Sequence, residues 1–191
     1  MTNLTEAEII KKVVDGHISL YGDLVELYQQ RLFRYIYSQV RNYDDALEIA
    51  QDVFIAALEA LGKFRGEAKF STWLFSIASN QCKTHLKKKK RTSTVPLNFI
   101  AEDGKEADFH LEDVREDIEH FVINDDLLEK AYDELIKMPP EYKEILILRD
   151  IEEMAYDDIV KILGISMSNV KVRIHRGREM LKKRLAARGL I

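Results

Sequence analysis

Apolar residues recur along this chain at spacings of three and four rather than two, the period of helices that bury one face. Leu24, Leu27, Tyr28, Leu32, Tyr35 and Ile36 form one such stripe and predict a helix over about Ser19–Val40. Ala46, Ile49, Ala50, Val53, Phe54, Ala57 and Leu61 form a second, with Asn42 placed to cap its start. Upstream, Thr5 and Glu8 have the spacing of a capping box and predict a short helix ending near Asp15. Gly62 and Gly66 bracket a loop, Lys63–Lys69, and a further helix runs from about Ser71 into the basic tail Lys87–Arg91.

The period lapses over Thr92–Glu119, where Pro96, Gly104 and many carboxylates predict an extended linker. It returns near Asn124 or Asp125 and breaks at Met138–Pro139–Pro140. Three more helices are expected over Glu141–Arg149, Asp157–Leu163 and Ser166–Ala187. The predicted fold is therefore all-α: one helical domain over 1–91, an acidic linker over 92–124, and a second helical domain over 125–191.

Composition narrows the setting. With 46% apolar residues in 191, the chain can bury cores. Cys82 is the only cysteine, which excludes an internal disulfide and suits a reducing compartment. The N-terminus carries no basic flank before an apolar run, and no stretch of about 18 apolar residues occurs, so neither a signal peptide nor membrane insertion is expected. A cytoplasmic location follows as the expectation.

Charge changes the picture more. The net value of −4 conceals blocks of opposite sign. Lys63–Arg91 holds nine basic residues and one acidic, and Lys171–Ile191 eight and one. Ile100–Glu134, between them, holds three basic and fourteen acidic. Two basic blocks point to two polyanion-binding faces. The acidic stretch, tethered beside both, either masks those faces itself or merely keeps an extended linker soluble.

The C-terminal block has the layout of a helix-turn-helix. Leu163–Gly164 ends a short amphipathic helix, Ile165 is an apolar turn residue, and Ser166 is a good N-cap for the next helix. On that helix Val170, Ile174, Gly177 and Leu181 share one face, expected to pack inward. Ser168, Val172, His175 and Arg176 share the other, flanked by Lys171, Arg173 and Arg178. Arginine bonds guanine bidentately and an apolar side chain meets a thymine methyl, so such a face suits a major groove.

The N-terminal block sets Phe64, Phe70, Trp73 and Phe75 beside a glycine-bearing loop and a cationic helix. Stacking surfaces next to cations are what unpaired nucleic acid requires, and Ser79, Asn80 or Gln81 supplies polar groups to read a base edge. Taken singly, Trp73, Leu74 and Ile77 are more often core than base contacts. Cys82 and His85 do not make a zinc site, because further ligands are lacking, and no metal or cofactor is expected.

These residues, in this order, resemble the extracytoplasmic-function sigma factors of the sigma-70 family over nearly the whole chain. The resemblance rests on three stretches: Asp45-Ala-Leu-Glu-Ile-Ala-Gln51-Asp-Val-Phe54; Phe64-Arg-Gly with Phe70-Ser-Thr-Trp-Leu-Phe-Ser-Ile-Ala-Ser-Asn80; and Leu135-Ile-Lys-Met-Pro139 through Arg178. It implies a transcription initiation factor, not an enzyme, whose partners are core RNA polymerase, promoter DNA and an inhibiting anti-sigma factor. Asp45, Glu48, Gln51, Asp52 and Phe54 would bind core polymerase. Lys63, Phe64, Arg65, Lys69, Trp73, Asn80, Lys83 and Lys87 would serve the minus-ten element. Ser166, Ser168, Lys171, Val172, Arg173, His175, Arg176 and Arg178 would serve the minus-thirty-five element. The rival readings are an autonomous helix-turn-helix regulator and a nucleic-acid enzyme; the latter lacks metal-ligand spacing and a nucleophile–base pair.

Overall fold

The computed structural model describes residues 4–92 and 126–191, all of whose regular structure is helical. The acidic stretch that would mask the basic faces lies mostly outside the described residues. Helices are numbered here in chain order. The first group is α1 (Glu6–Val14), α2 (Tyr21–Val40), α3 (Tyr43–Ala60) and α4 (Phe70–Thr92). The second is α5 (Asp126–Ile136), α6 (Pro140–Leu146), α7 (Tyr156–Leu163) and α8 (Met167–Ala187).

Local signals set most boundaries. The Thr5 side chain and Glu8 cap each other's backbone at the start of α1. Asn42 accepts the Asp45 N–H at 2.9 Å to open α3, and Ser166 accepts the Asn169 N–H at 3.3 Å to open α8. Each capping oxygen satisfies a backbone donor that the helix itself leaves orphaned. Gly164 ends α7 at φ 65°, the left-handed conformation that lets the chain turn sharply into α8. The expected helix over Ser19–Val40 begins instead as a 3-10 turn, Ile18–Leu20, before α2. The one over Glu141–Arg149 is α only to Leu146 and then widens into a π turn, Ile147–Ile151.

Leu24, Leu32, Tyr35 and Ile36 of α2, Ala46, Val53 and Ala57 of α3, and Phe70, Leu74 and Phe75 of α4 meet in one core, each almost fully buried. In the second group, Ile145, Leu146 and Leu148 pack with Ile159, Ile162, Val170 and Ile174. Gly177 is what lets α8 lie against α6: a Cβ there would stand 3.2 Å from two atoms of the Leu146 side chain. Of the four residues expected to face inward on α8, Val170, Ile174 and Gly177 are buried and Leu181 is half-buried.

The two groups also touch. Helix α7 packs along α4, and several side chains cross between them. No helix among the described residues is long and apolar enough to cross a membrane.

Candidate nucleic-acid interface

The N-terminal aromatics pack because their spacing places them on one side of the loop and of α4. Phe70, almost fully buried, anchors the group, with ring centroids 5.5 Å from Tyr28, 5.8 Å from Phe64 and 5.7 Å from Trp73. Phe64 and Trp73, 5.1 Å apart, sit on this base half-exposed. Over them opens a cleft of about 560 Å³, lined by Lys63, Phe64, Arg65, Glu67, Ala68, Thr72, Trp73, Ser76 and Lys161. It offers ring faces, hydroxyls and cations together, the combination that stacks a base and neutralises its phosphate.

Four of the eight residues expected at this site thus line the cleft or stand at its rim: Lys63, Phe64, Arg65 and Trp73. Lys69 is exposed at the start of α4, and its carbonyl accepts the Trp73 N–H at 3.1 Å. Asn80 is exposed one turn beyond Ser76, outside the lining. Lys83 and Lys87 are exposed further along α4, where Lys83 lies 3.8 Å from Glu144. The cleft's own polar groups are Thr72 and Ser76, which the sequence reading passed over. Their signal was present, since Lys69, Thr72, Trp73 and Ser76 follow the one-face spacing of a helix.

On α3, Leu47, Glu48, Gln51, Asp52 and Ile55 form an exposed stripe. Leu47 is 42% exposed and Ile55 57%, apolar surface that the sequence reading did not single out. Phe54 turns away from the stripe and packs against the core, while its carbonyl accepts the Tyr21 hydroxyl at 2.7 Å. Asp45 is turned toward α4, receiving Lys89 Nζ at 2.9 Å and lying 3.1 Å from His85 Nε2. The Lys89 hydrogen bond, helped by His85, holds the Asp45 carboxyl below its ordinary range.

The second basic face is simpler. Lys171, Val172, His175 and Arg176 are exposed along α8, with Ser166 and Ser168 exposed at its start and 3.0 Å apart. Arg173 is half-buried toward the groove between the two helix groups. Arg178 reaches back in a two-pronged ion pair with Asp150, its Nε 3.2 Å from one carboxylate oxygen. It therefore braces α8 against the π turn. Met154 and Arg149 tie the same turn together, with the Arg149 guanidinium donating to the Met154 carbonyl at 2.8 Å.

Comparison with known proteins gives the family. The sigma-70 region 2 family matches residues 24–92, and the sigma-70 region 4 family residues 128–181. The chain is 32% identical over 178 residues to the ECF RNA polymerase sigma factor SigW of Bacillus subtilis, covering 92% of this chain and 94% of that one. It belongs to the extracytoplasmic-function sigma factors. It is 31% identical over 187 residues to the RNA polymerase sigma-H factor of Pseudomonas aeruginosa, covering 97% and 96%.

Two solved structures share the fold of this sigma factor. CnrH in complex with the cytosolic domain of CnrY aligns with a TM-score of 0.65 at 22% identity, covering 94% of this chain and 96% of that one. RpoE of Bartonella quintana in complex with the anti-sigma factor NepR aligns at 0.64 and 20%, covering 87% and 96%. The fold class and family expected from the residues alone both hold.

Proposed function

We propose that this sigma factor binds core RNA polymerase through the exposed stripe of α3, engages promoter DNA through two separate faces, and works in the cytoplasm without catalysing a reaction itself. The observation that carries the reading is the presence, in one chain, of an aromatic-floored cationic cleft and an independent exposed recognition helix. The first suits an unpaired strand and the second a duplex major groove. A factor that starts transcription needs both, because it must locate a duplex and then hold it open.

The division of labour follows the chain: 1–91 for polymerase and the minus-ten element, 92–124 as connector, and 125–191 for the minus-thirty-five element. On α3, Glu48, Gln51 and Asp52 supply polar contacts to polymerase, with Leu47 and Ile55 as the apolar ones. Asp45 and Phe54 act there by shaping the helix. In the cleft, Phe64 and Trp73 stack a flipped base, Lys63, Arg65 and Lys69 hold the backbone, and Asn80, Lys83 and Lys87 continue the strand's path along α4. On α8, Val172, His175 and Arg176 face bases, while Ser166, Ser168, Lys171 and Arg173 meet phosphates. An anti-sigma factor is the proposed inhibitor, as in the complex with NepR.

Run-off transcription with cognate core polymerase on genomic promoter fragments tests the whole reading. Specific initiation that depends on the added chain is the expected result. Tight operator binding without any initiation would instead identify an autonomous regulator. Permanganate footprinting of Asn80→Ala then separates melting from docking: closed complexes should persist while open complexes decline, since a flipped base exists only after unpairing.

A further inference from the structure

The C-terminal basic block is divided by the carboxylates that reach it. Of its eight cations, three are held by carboxylates among the described residues. Arg178 goes to Asp150, and Glu134 of α5 takes the other two. Glu134 Oε2 receives Arg184 through Nε at 3.0 Å and Nη2 at 2.9 Å, and its Oε1 lies 3.3 Å from Arg188 Nη2. Lys137, one turn along α5, stands 3.4 Å from Oε1 as well. Glu134 is thus a buried carboxylate closed in by three cations. Burial works to raise its carboxyl, yet Arg188, Lys137 and Arg184 together hold it below the ordinary range, so it is ionised at neutral pH.

Helix geometry explains the division. Lys182 and Lys183 follow His175 and Arg176 by one heptad, so they continue the exposed side of α8. Arg184 follows Gly177 by the same step, which turns it inward toward α5, and Arg188 lies one turn further. With 21 residues at about 1.5 Å each, α8 is roughly 30 Å long. A straight helix of that length cannot follow a groove about 12 Å wide around a duplex. Its C-terminal half leaves the groove and passes the phosphates.

We infer that Glu134 is a specificity-determining residue of the duplex-binding face: by holding Arg184 and Arg188 it withholds two cations from the DNA backbone, leaving affinity to the bases that α8 reads. The inference rests on the assignment of α8 to duplex DNA given above. A phosphate is the same at every sequence, so each cation added to the backbone strengthens binding to all DNA. Discrimination is the difference between the right duplex and the others, and removing sequence-blind cations enlarges it. On a matched promoter the base contacts fix the pose of α8, and freed arginines add little. On random DNA the pose is free, and orientations that bring Arg184 or Arg188 to a phosphate are populated. Bracing alone does not account for the arrangement. The Arg188 side chain is 62% exposed in its pair, too open for that bridge to stabilise much. The buried Leu135 and Met138 already seat α5.

The test measures binding of the full chain to two duplexes across a salt series. One is a promoter fragment identified by run-off transcription, the other a random sequence of equal length. Glu134→Gln keeps the size of the side chain and releases both arginines. Affinity for the random duplex should rise about fivefold at low salt, and the salt slope should steepen by about one to two, since each phosphate contact adds about 0.9. Affinity for the promoter should change less than about twofold, so discrimination falls. An equal gain on both duplexes, or no gain on random sequence, would overturn the inference. Asp133→Asn is the charge control: it is the exposed neighbour on α5, loses the same charge and frees neither arginine. A matching gain there would reduce the effect to net charge and would also overturn it.

A second measurement does not depend on how the Glu134 variant folds. Arg184→Gln with Arg188→Gln, in the otherwise wild-type chain, should leave the salt slope unchanged, because Glu134 already withholds both cations. A slope shallower by about one to two would put those arginines on phosphates and refute the inference. The same pair added to Glu134→Gln should return random-duplex affinity to the wild-type value, and continued tight binding would count against it. Failure of the α8 assignment looks different. If wild type binds promoter and random duplex alike while Glu134→Gln still gains on random sequence, the withholding of the arginines stands and base reading by α8 falls.

Discussion

The two basic faces of this sigma factor are built in opposite ways. The α8 face is one exposed side of a single helix: its residues are close in sequence, and its backing is a small core closed by Gly177 on Leu146. The α4 cleft is composite. Its floor rests on Phe70, its walls come from the Lys63–Lys69 loop and α4, and one rim residue, Lys161, arrives from the other helix group. The contrast fits the targets proposed for the two faces. A duplex groove presents base edges to a convex helix, so side chains need only stand out from it. An unpaired base must be surrounded, and that takes a concavity made from several elements.

The sharpest way to break the comparison is to remove the floor of one face and leave the other. Phe70→Ala empties an almost fully buried site that packs 5.7 Å from the Trp73 ring. A loss of about 3–5 kcal/mol from the N-terminal group is expected. Denaturant unfolding followed at Trp73, which lies in that group, reads it directly. Duplex binding by α8 should survive in conditions where the N-terminal group has unfolded.

Arg176→Ala should cost roughly 1–3 kcal/mol on a cognate duplex and clearly less on random sequence. Competition binding measures both, and equal losses would remove Arg176 from base reading. Arg178→Ala tests the bracing role. Its pair with Asp150 is about half exposed, so a stability loss below about 1 kcal/mol is expected. The salt dependence of DNA binding should stay close to that of wild type, whereas a phosphate contact would reduce the slope by about one.

The smallest effect concerns Asp45. Its folded carboxyl is held below the ordinary value of 3.8, first by Lys89 and then by His85. The stability this provides is present above that ordinary value and is lost as pH falls through the depressed folded one. Asp45→Asn should therefore lower the neutral plateau of a thermal-stability profile slightly and flatten its acid limb below about pH 4, where variant and wild type converge. If the acid limb keeps its slope, the contact does not stabilise α3 against α4.

Much of this protein could be read from local chemistry. The α8 face was legible because periodicity, the Ser166 cap and the Gly164 turn are local, and a helix displays its residues in a fixed angular order. The stripes of α2 and α3 declared their buried sides for the same reason, save for Leu27 of the α2 stripe, which is 57% exposed. The family, too, was carried by contiguous motifs. The π turn at Ile147–Ile151 was not legible, because the apolar spacing of that stretch reads as a continuing α-helix. Nor were the roles of Arg178 and Asp45, since a charged residue on a helix is equally suited to DNA, to polymerase or to a neighbouring helix.

The sequence by itself determined the helices, their caps, their buried faces and the two basic blocks, all set by spacings within a few turns. Only the tertiary structure decided which cations stay exposed and which are taken by carboxylates far away in the chain. Glu144 meets Tyr35 and Ser79, and Glu152 meets Arg31, across separations that no period encodes. Local order fixes which way a side chain points. What it meets there depends on how the helices pack.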